Sequence, residues 1–202
     1  MPAILLHLLP ATLYTALGVR FWHSRWHAPA LSSRPGLRPW ERALMLLALL
    51  AHGFALHRVF FSPEGIHFGF SLALSLMMWL AMLFYWIESL YARLEGLQTL
   101  SMPLAALCSL LPAFFPDPHL LANAGSPLFR AHFVVAMLAY SLFTLAALHA
   151  VLMAVAEKRL HGARLSRAFA ALPPLLTMET LLFRLIGIAF VLLTLTVGSG
   201  VL

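Results

Sequence analysis

Ten histidines among only 13 basic and 7 acidic side chains are the residues whose chemistry asks for an explanation. His52, His57, His132 and His149 are the informative set, because each falls inside a long apolar stretch, where an ionisable group is costly unless it meets a cavity or a partner. Two uses of neutral imidazole compete at these positions. One is interhelical glue, a ring nitrogen bonded to a neighbouring helix's carbonyl. The other is axial ligation of haem iron, with two imidazoles from facing helices and an apolar bundle burying the macrocycle. A zinc protease would require His-Glu-x-x-His on one helix, which is absent, and a proton relay would require several buried carboxylates. Glu88 and Glu179 lie near the ends of apolar stretches and suit an interfacial role. His23, His27, His67, His119 and His161 fall in connections and read as solvated, whereas His7 lies in an apolar stretch with no partner evident.

The elements that must position these groups follow from composition. A chain of 202 residues that is 62% hydrophobic and 10% charged, with a mean hydropathy of +0.90, is neither a water-facing globule nor a disordered tail. Its solvent is the bilayer. The expected fold is all-α: a single polytopic bundle over 1–202 with six transmembrane helices, each supplying the about 20 apolar residues that a crossing needs. They run roughly Ala3–Phe21, Ala43–Phe61, Phe68–Tyr91, Leu97–Phe115, Phe129–Ala156 and Leu175–Leu202. Barrel strands would show short polar/apolar alternation instead. Pro10, Pro103 and Pro112 are expected to kink their helices, and the single Cys108 reads as a small apolar filler.

Along the second span His52 lies roughly 13 Å in and His57 about 21 Å in, separated by about 140° around the axis. They cannot face one flat ligand from the same side. His132 opens the fifth span at the depth of His57, and His149 lies roughly 25 Å further along. Tyr140, eight residues after His132, is a candidate for the same pocket. Arg184 sits roughly 15 Å into the last span and needs Glu179, snorkelling or a ligand anion such as a haem propionate. The cluster from Met77 to Trp86 reads as packing, and Ser141 and Thr144 as hydroxyls bonded back to their own helix or to a neighbour.

Charge gives orientation. Arg20, Arg25, Arg34, Arg38, Arg42, Arg93, Lys158, Arg159, Arg164 and Arg167 flank the spans on one side, and only Arg58 and Arg130 on the other. The positive side stays cytoplasmic, so both termini are expected outside. The net charge of +6 belongs to this inner rim, where Trp22, Trp26 and Trp40 suit an interfacial belt; nucleic acid is not an expected partner. The first span lacks the preceding basic segment of a cleavable signal.

Three stretches resemble a known family. The His-led run Ala131-His132-Phe133 through Tyr140-Ser141 is similar to the helix that opens with histidine in the cytochrome c assembly proteins, the CcsA/HemX-like membrane proteins. Pro173-Pro174-Leu175 through Glu179 and Phe183-Arg184 to Leu193-Thr194-Leu195-Thr196 and Gly198 resembles that family's later signature. Leu49-Leu50-Ala51-His52 resembles the second span of its YpjD branch in proteobacterial inner membranes. The resemblance implies a haem-handling membrane protein near cytochrome c maturation in the bacterial cytoplasmic membrane, with haem b as cofactor. It implies His132 as first axial ligand and His52 as second, with His57 matching in depth and Arg184 and Tyr140 as further cofactor-binding candidates. It also implies that the family's last two helices are missing here. The tryptophan-rich outer loop of the catalytic branch has no counterpart after Trp86, so a haem-binding assembly factor is expected rather than an enzyme. Its expected partners are haem, the lipid bilayer and other maturation proteins. A non-haem scaffold or a regulator of assembly or tetrapyrrole synthesis is the alternative; a small-molecule carrier is disfavoured by the lack of paired inverted halves.

Overall fold

A computed structural model describes residues 3–24, 37–62, 65–91, 96–116, 119–120, 125–161 and 174–200. It contains six long helices: α1 (Ala3–Trp22), α2 (Pro39–Phe60), α3 (Phe70–Tyr91), α4 (Leu97–Phe114), α5 (Pro127–His161) and α6 (Leu175–Ser199). All six are long and apolar enough to cross a membrane. Helices meet the demand of hydrocarbon that each backbone N–H and C=O be paired within its own segment. The expected boundaries hold to within a few residues, except that α5 continues past Ala156 to His161 and α2 starts earlier, at Pro39. Pro39 fits there because the first turn of a helix needs no N–H donor.

One small departure from pure helix marks an end of the bundle. Phe61–Ser62 (β1) pairs antiparallel with Gly65–Ile66 (β2), and His67 bridges to Leu120. Phe68 N donates to His119 O at 3.0 Å, so the α2–α3 connection is tied to the α4–α5 connection. We call this the hairpin end.

Packing is sequential with two exceptions, α1 on α4 and α3 on α5. Helix α1 lies against α4 and α2, α3 against α4 and α5, and α5 against α6. Tyr14, Leu17, Met45, Met78, Met82, Tyr85, Met102 and Leu145 fill the core, which places the Met and aromatic cluster of α3 in packing. Tyr85 donates from its hydroxyl to Gln98 Oε1 at 3.1 Å, joining α3 to α4. Met178, Leu185, Ala189 and Thr196 are the buried residues of α6, and their spacing of seven, four and seven makes one stripe that faces α5. Outward, Leu50, Phe54, Leu107, Phe183 and Phe190 are exposed. Such an apolar surface would aggregate in water and is the proper boundary toward lipid.

The opposite end carries the charged rim. Arg38 N donates to Glu41 Oε2 at 2.9 Å and caps α2, while Arg42 Nη2 donates to Ser89 O at 2.7 Å. Trp86 Nε1 donates to Arg42 O at 3.1 Å, and the Arg20 guanidinium lies 5.6 Å from the Trp40 ring centroid. Gly96 caps the start of α4, and its φ of 91° suits glycine and strains other residues. Arg25, Trp26, His27, Arg34, Arg93, Arg164, Arg167 and Pro173 lie outside the described residues.

A close approach fixes α2 against α3. A methyl group on Gly53 would come 3.0 Å from Trp79 Cζ2, and that indole cannot simply swing away because its Nε1 donates to Leu49 O at 2.8 Å. Gly53→Ala is therefore expected to destabilise the bundle by about 1–3 kcal/mol. Thermal unfolding in detergent measures it, and the loss should shrink when Trp79 is also replaced by Leu, because the clash then has no second party.

Candidate functional site

His132 stands in the second turn of α5 at the hairpin end, half-buried, with Nδ1 2.9 Å from Ser199 Oγ at the end of α6. Ser199 Oγ in turn donates to Thr196 O at 3.0 Å. A serine hydroxyl has one proton to give. With that proton committed to the carbonyl, the oxygen accepts from His132, so Nδ1 carries the hydrogen and Nε2 keeps its lone pair. This is the tautomer in which a neutral imidazole ligates metal through Nε2 while the other nitrogen is held by a second partner. Gly200 leaves room for the ring, since a Cβ there would lie 3.3 Å from His132 Cε1.

An aromatic cluster gathers around Phe133, the next residue of α5. Phe133 meets Phe68 at 4.8 Å between centroids, Phe60 at 5.9 Å and Phe129 at 6.4 Å. Phe60 continues to Phe61 at 5.2 Å, and Phe61 to the exposed His57 at 5.0 Å. His57 and His132 thus share the hairpin end, and the run of rings from His57 reaches Phe133, the neighbour of His132 in the chain.

His52 belongs to a different interface. It is fully buried, with Nε2 2.9 Å from Ser75 Oγ on α3 and its ring edge-on to Tyr14 of α1 at 5.8 Å. His52 faces α1 and α3 while His132 faces α6, so the fold does not bring them onto one ligand. The turn of about 140° between His52 and His57 accounts for one being buried and the other exposed.

Two other histidines are interhelical ties. His7 Nδ1 donates to Ser109 O at 2.9 Å, joining α1 to α4 and supplying the partner that the sequence did not suggest. His149 Nε2 donates to Met178 O at 3.0 Å, joining α5 to α6. Tyr140 is 47% exposed and lies about 80° around α5 from His132, on the lipid-facing side. Ser141 and Thr144 bond back to Met137 O and Tyr140 O. Arg184 is exposed, and its charge acts on the Glu88 carboxyl of α3, a partner the sequence reading did not include beside Glu179. It precedes Ser199 by 15 residues, about 22 Å along α6, and so sits far from the depth of His132. Among the described residues no three His, Cys, Asp or Glu side chains converge to hold a metal ion, so the available ligands are single imidazoles.

A family model described as "Cytochrome C assembly protein" matches residues 40–202. The chain belongs to the cytochrome c assembly protein family. The match takes in α2 to α6 with His52, His57, His132, Tyr140 and Arg184, and leaves α1 outside. No curated protein and no solved structure matches the chain significantly. Family and six membrane-capable helices together make this a multi-pass membrane protein with a role in cytochrome c assembly.

Ser199, Ser75 and Ser109 are the partners that sequence reading missed. For Ser199 a signal existed: antiparallel neighbours bring the start of α5 level with the end of α6, and Ser199 is a polar residue at that depth. Ser199→Ala should leave Nδ1–H without its acceptor at a cost of about 1 kcal/mol. Nitrogen-15 NMR of the labelled imidazole is expected to change from a single Nδ1–H form to a mixture of tautomers.

Proposed function

We propose that this protein holds haem b at the hairpin end of the bundle with His132 Nε2 as an axial ligand, and that it holds or passes the haem during cytochrome c assembly without catalysing its attachment. The observation that carries the reading is the Thr196–Ser199–His132 chain of hydrogen bonds, which leaves Nε2 as the free lone pair. Haem, when bound, would supply an iron that accepts this lone pair and a broad apolar face; Phe133, Phe129, Phe60 and Phe68 form an apolar aromatic cluster at the same end of the bundle. His57 at the same end is the second ligand on this reading. His52 is tied to Ser75 and turned toward α1, which counts against its expected role as the second ligand. Arg184 would meet a propionate only at another depth, and Tyr140 contributes its ring to the lipid face.

The same reading places the Arg20, Arg38 and Arg42 end at the cytoplasm of a bacterial inner membrane and the hairpin end outside, where cytochromes c are matured. Other maturation proteins and the bilayer are its partners. The scaffold alternative draws support from His7 and His149, which serve as plain interhelical ties.

The test is the absorbance spectrum of detergent-purified protein expressed with ample haem. A Soret band is expected for the unaltered chain, lost in His132→Ala, reduced in His57→Ala and weakened about 10–100-fold in affinity in Ser199→Ala, the usual effect of removing a ligand's orienting partner. Colourless unaltered protein would sink the haem reading and leave the scaffold.

A further inference from the structure

Away from His132, the α1–α4 part of the bundle contains a set of buried polar atoms that lack partners. Among them are His52 Nδ1, Tyr14 Oη, His7 Nε2 and Ser71 Oγ; Arg42 Nε and Ser101 Oγ of the same helices also lack a partner. The first four residues are essentially inaccessible from outside, Ser71 at 2% exposure and the others at 0%. They are not scattered. Tyr14 touches the His52 ring at 5.8 Å, and His52 Nε2 is 2.9 Å from Ser75 Oγ. Ser71 lies one turn before Ser75 on the same face of α3, and Tyr14 lies two turns after His7 on the same face of α1. The two imidazoles are near enough to act on each other electrostatically.

A cleft at the hairpin end borders one member of this set, Ser71. The cleft, of about 460 Å³, lies between the start of α3 and the end of α4 and is lined by Phe70, Leu111, Phe114, Phe115 and Pro116, with Ser71 as its one hydroxyl-bearing wall. Beyond Ser71 the polar atoms continue inward through Ser75 to His52 and Tyr14.

Buried polar groups in folded proteins are nearly always paired, and where protein partners fail, ordered water takes their place with about three hydrogen bonds each. His52 needs this whichever way its proton lies. If Ser75 donates to Nε2, Nδ1–H seeks an acceptor; if Nε2–H donates to Ser75, the Nδ1 lone pair seeks a donor. We propose that the cleft is the mouth of a hydrated site inside the α1–α4 bundle, in which ordered water bridges Ser71, Ser75, His52 and Tyr14. The site gives His52 proton exchange with water at the hairpin end. It stands apart from the haem reading, since it uses none of the groups around His132, and α1, which supplies Tyr14 and His7, lies outside the family match.

Radiolytic hydroxyl-radical labelling of the intact, unaltered protein in detergent tests this directly, because radicals form from water that touches the side chain. Tyr14 and Tyr85 are both 0% exposed and differ in that the Tyr85 hydroxyl is bonded to Gln98. Tyr14 should be oxidised several-fold faster than Tyr85; equal or slower oxidation overturns the proposal. A second measurement uses membrane vesicles and a charged thiol reagent that needs water, in a Cys108→Ala background. Ser71→Cys and Ser75→Cys should react several-fold faster than the lipid-facing Leu107→Cys. If neither outpaces Leu107→Cys, the site is dry and the inference fails. Should a cysteine variant not fold, the labelling of the unaltered chain decides.

Discussion

Away from bulk water an unpaired polar side chain is costly, and the histidines inside this bundle are organised by that cost. They fall into two kinds. His7 and His149 meet backbone carbonyls, which only accept, so the bonded nitrogen carries the proton. His52 and His132 meet serine hydroxyls, which can give or take, so the remaining bond of the serine decides the tautomer. Ser199 spends its proton on Thr196 O and thereby fixes His132. The same residue type thus acts as a plain tie in one place and as a fixed tautomer with an open Nε2 lone pair in another, and the difference lies in one hydroxyl hydrogen.

The ties also hold His132 in place. Helix α6 packs chiefly on α5, through a single buried stripe. A stripe of small and aliphatic residues tolerates sliding by a turn, which would carry Ser199 about 5.4 Å away from His132. The bond from His149 to Met178 pins the other end of the same helix pair. A histidine far along α5 therefore sets the register on which the hairpin-end geometry depends. The aromatic cluster does comparable work across α2, the α2–α3 connection and α5, which supply Phe60, Phe68 and Phe133 in turn.

Much of this was legible in the residues. Continuous apolar runs with charged punctuation specify helices, their number and nearly their ends, because hydrocarbon leaves the backbone so few options. The opposite fates of His52 and His57 followed from a five-residue spacing, and back-bonding of Ser141 and Thr144 from residue type. Partner identity was not legible, because it depends on which helices touch. Nothing in the neighbourhood of His7 points to Ser109, 102 residues away. That the charge of Arg184 acts on Glu88 of α3 likewise follows from the fold and not from sequence spacing. The short hairpin after α2 escaped notice since two paired residues leave no alternating pattern to read.

The boundary of the family match carries a further argument. The groups around His132 all lie within residues 40–202, so the α5–α6 arrangement rests on the shared part of the chain. The surroundings of His52 do not. Its ring is closed off by Tyr14 and approached by His7, both on α1, and α1 lies against α4 and α2. Remove α1, and His52 would look from α2 toward lipid with only Ser75 for company, a state hydrocarbon penalises. The buried imidazole of the matched segment is therefore made tolerable by a helix outside it, and the chemistry of His52 is a property of the four-helix unit rather than of the motif in which it is embedded.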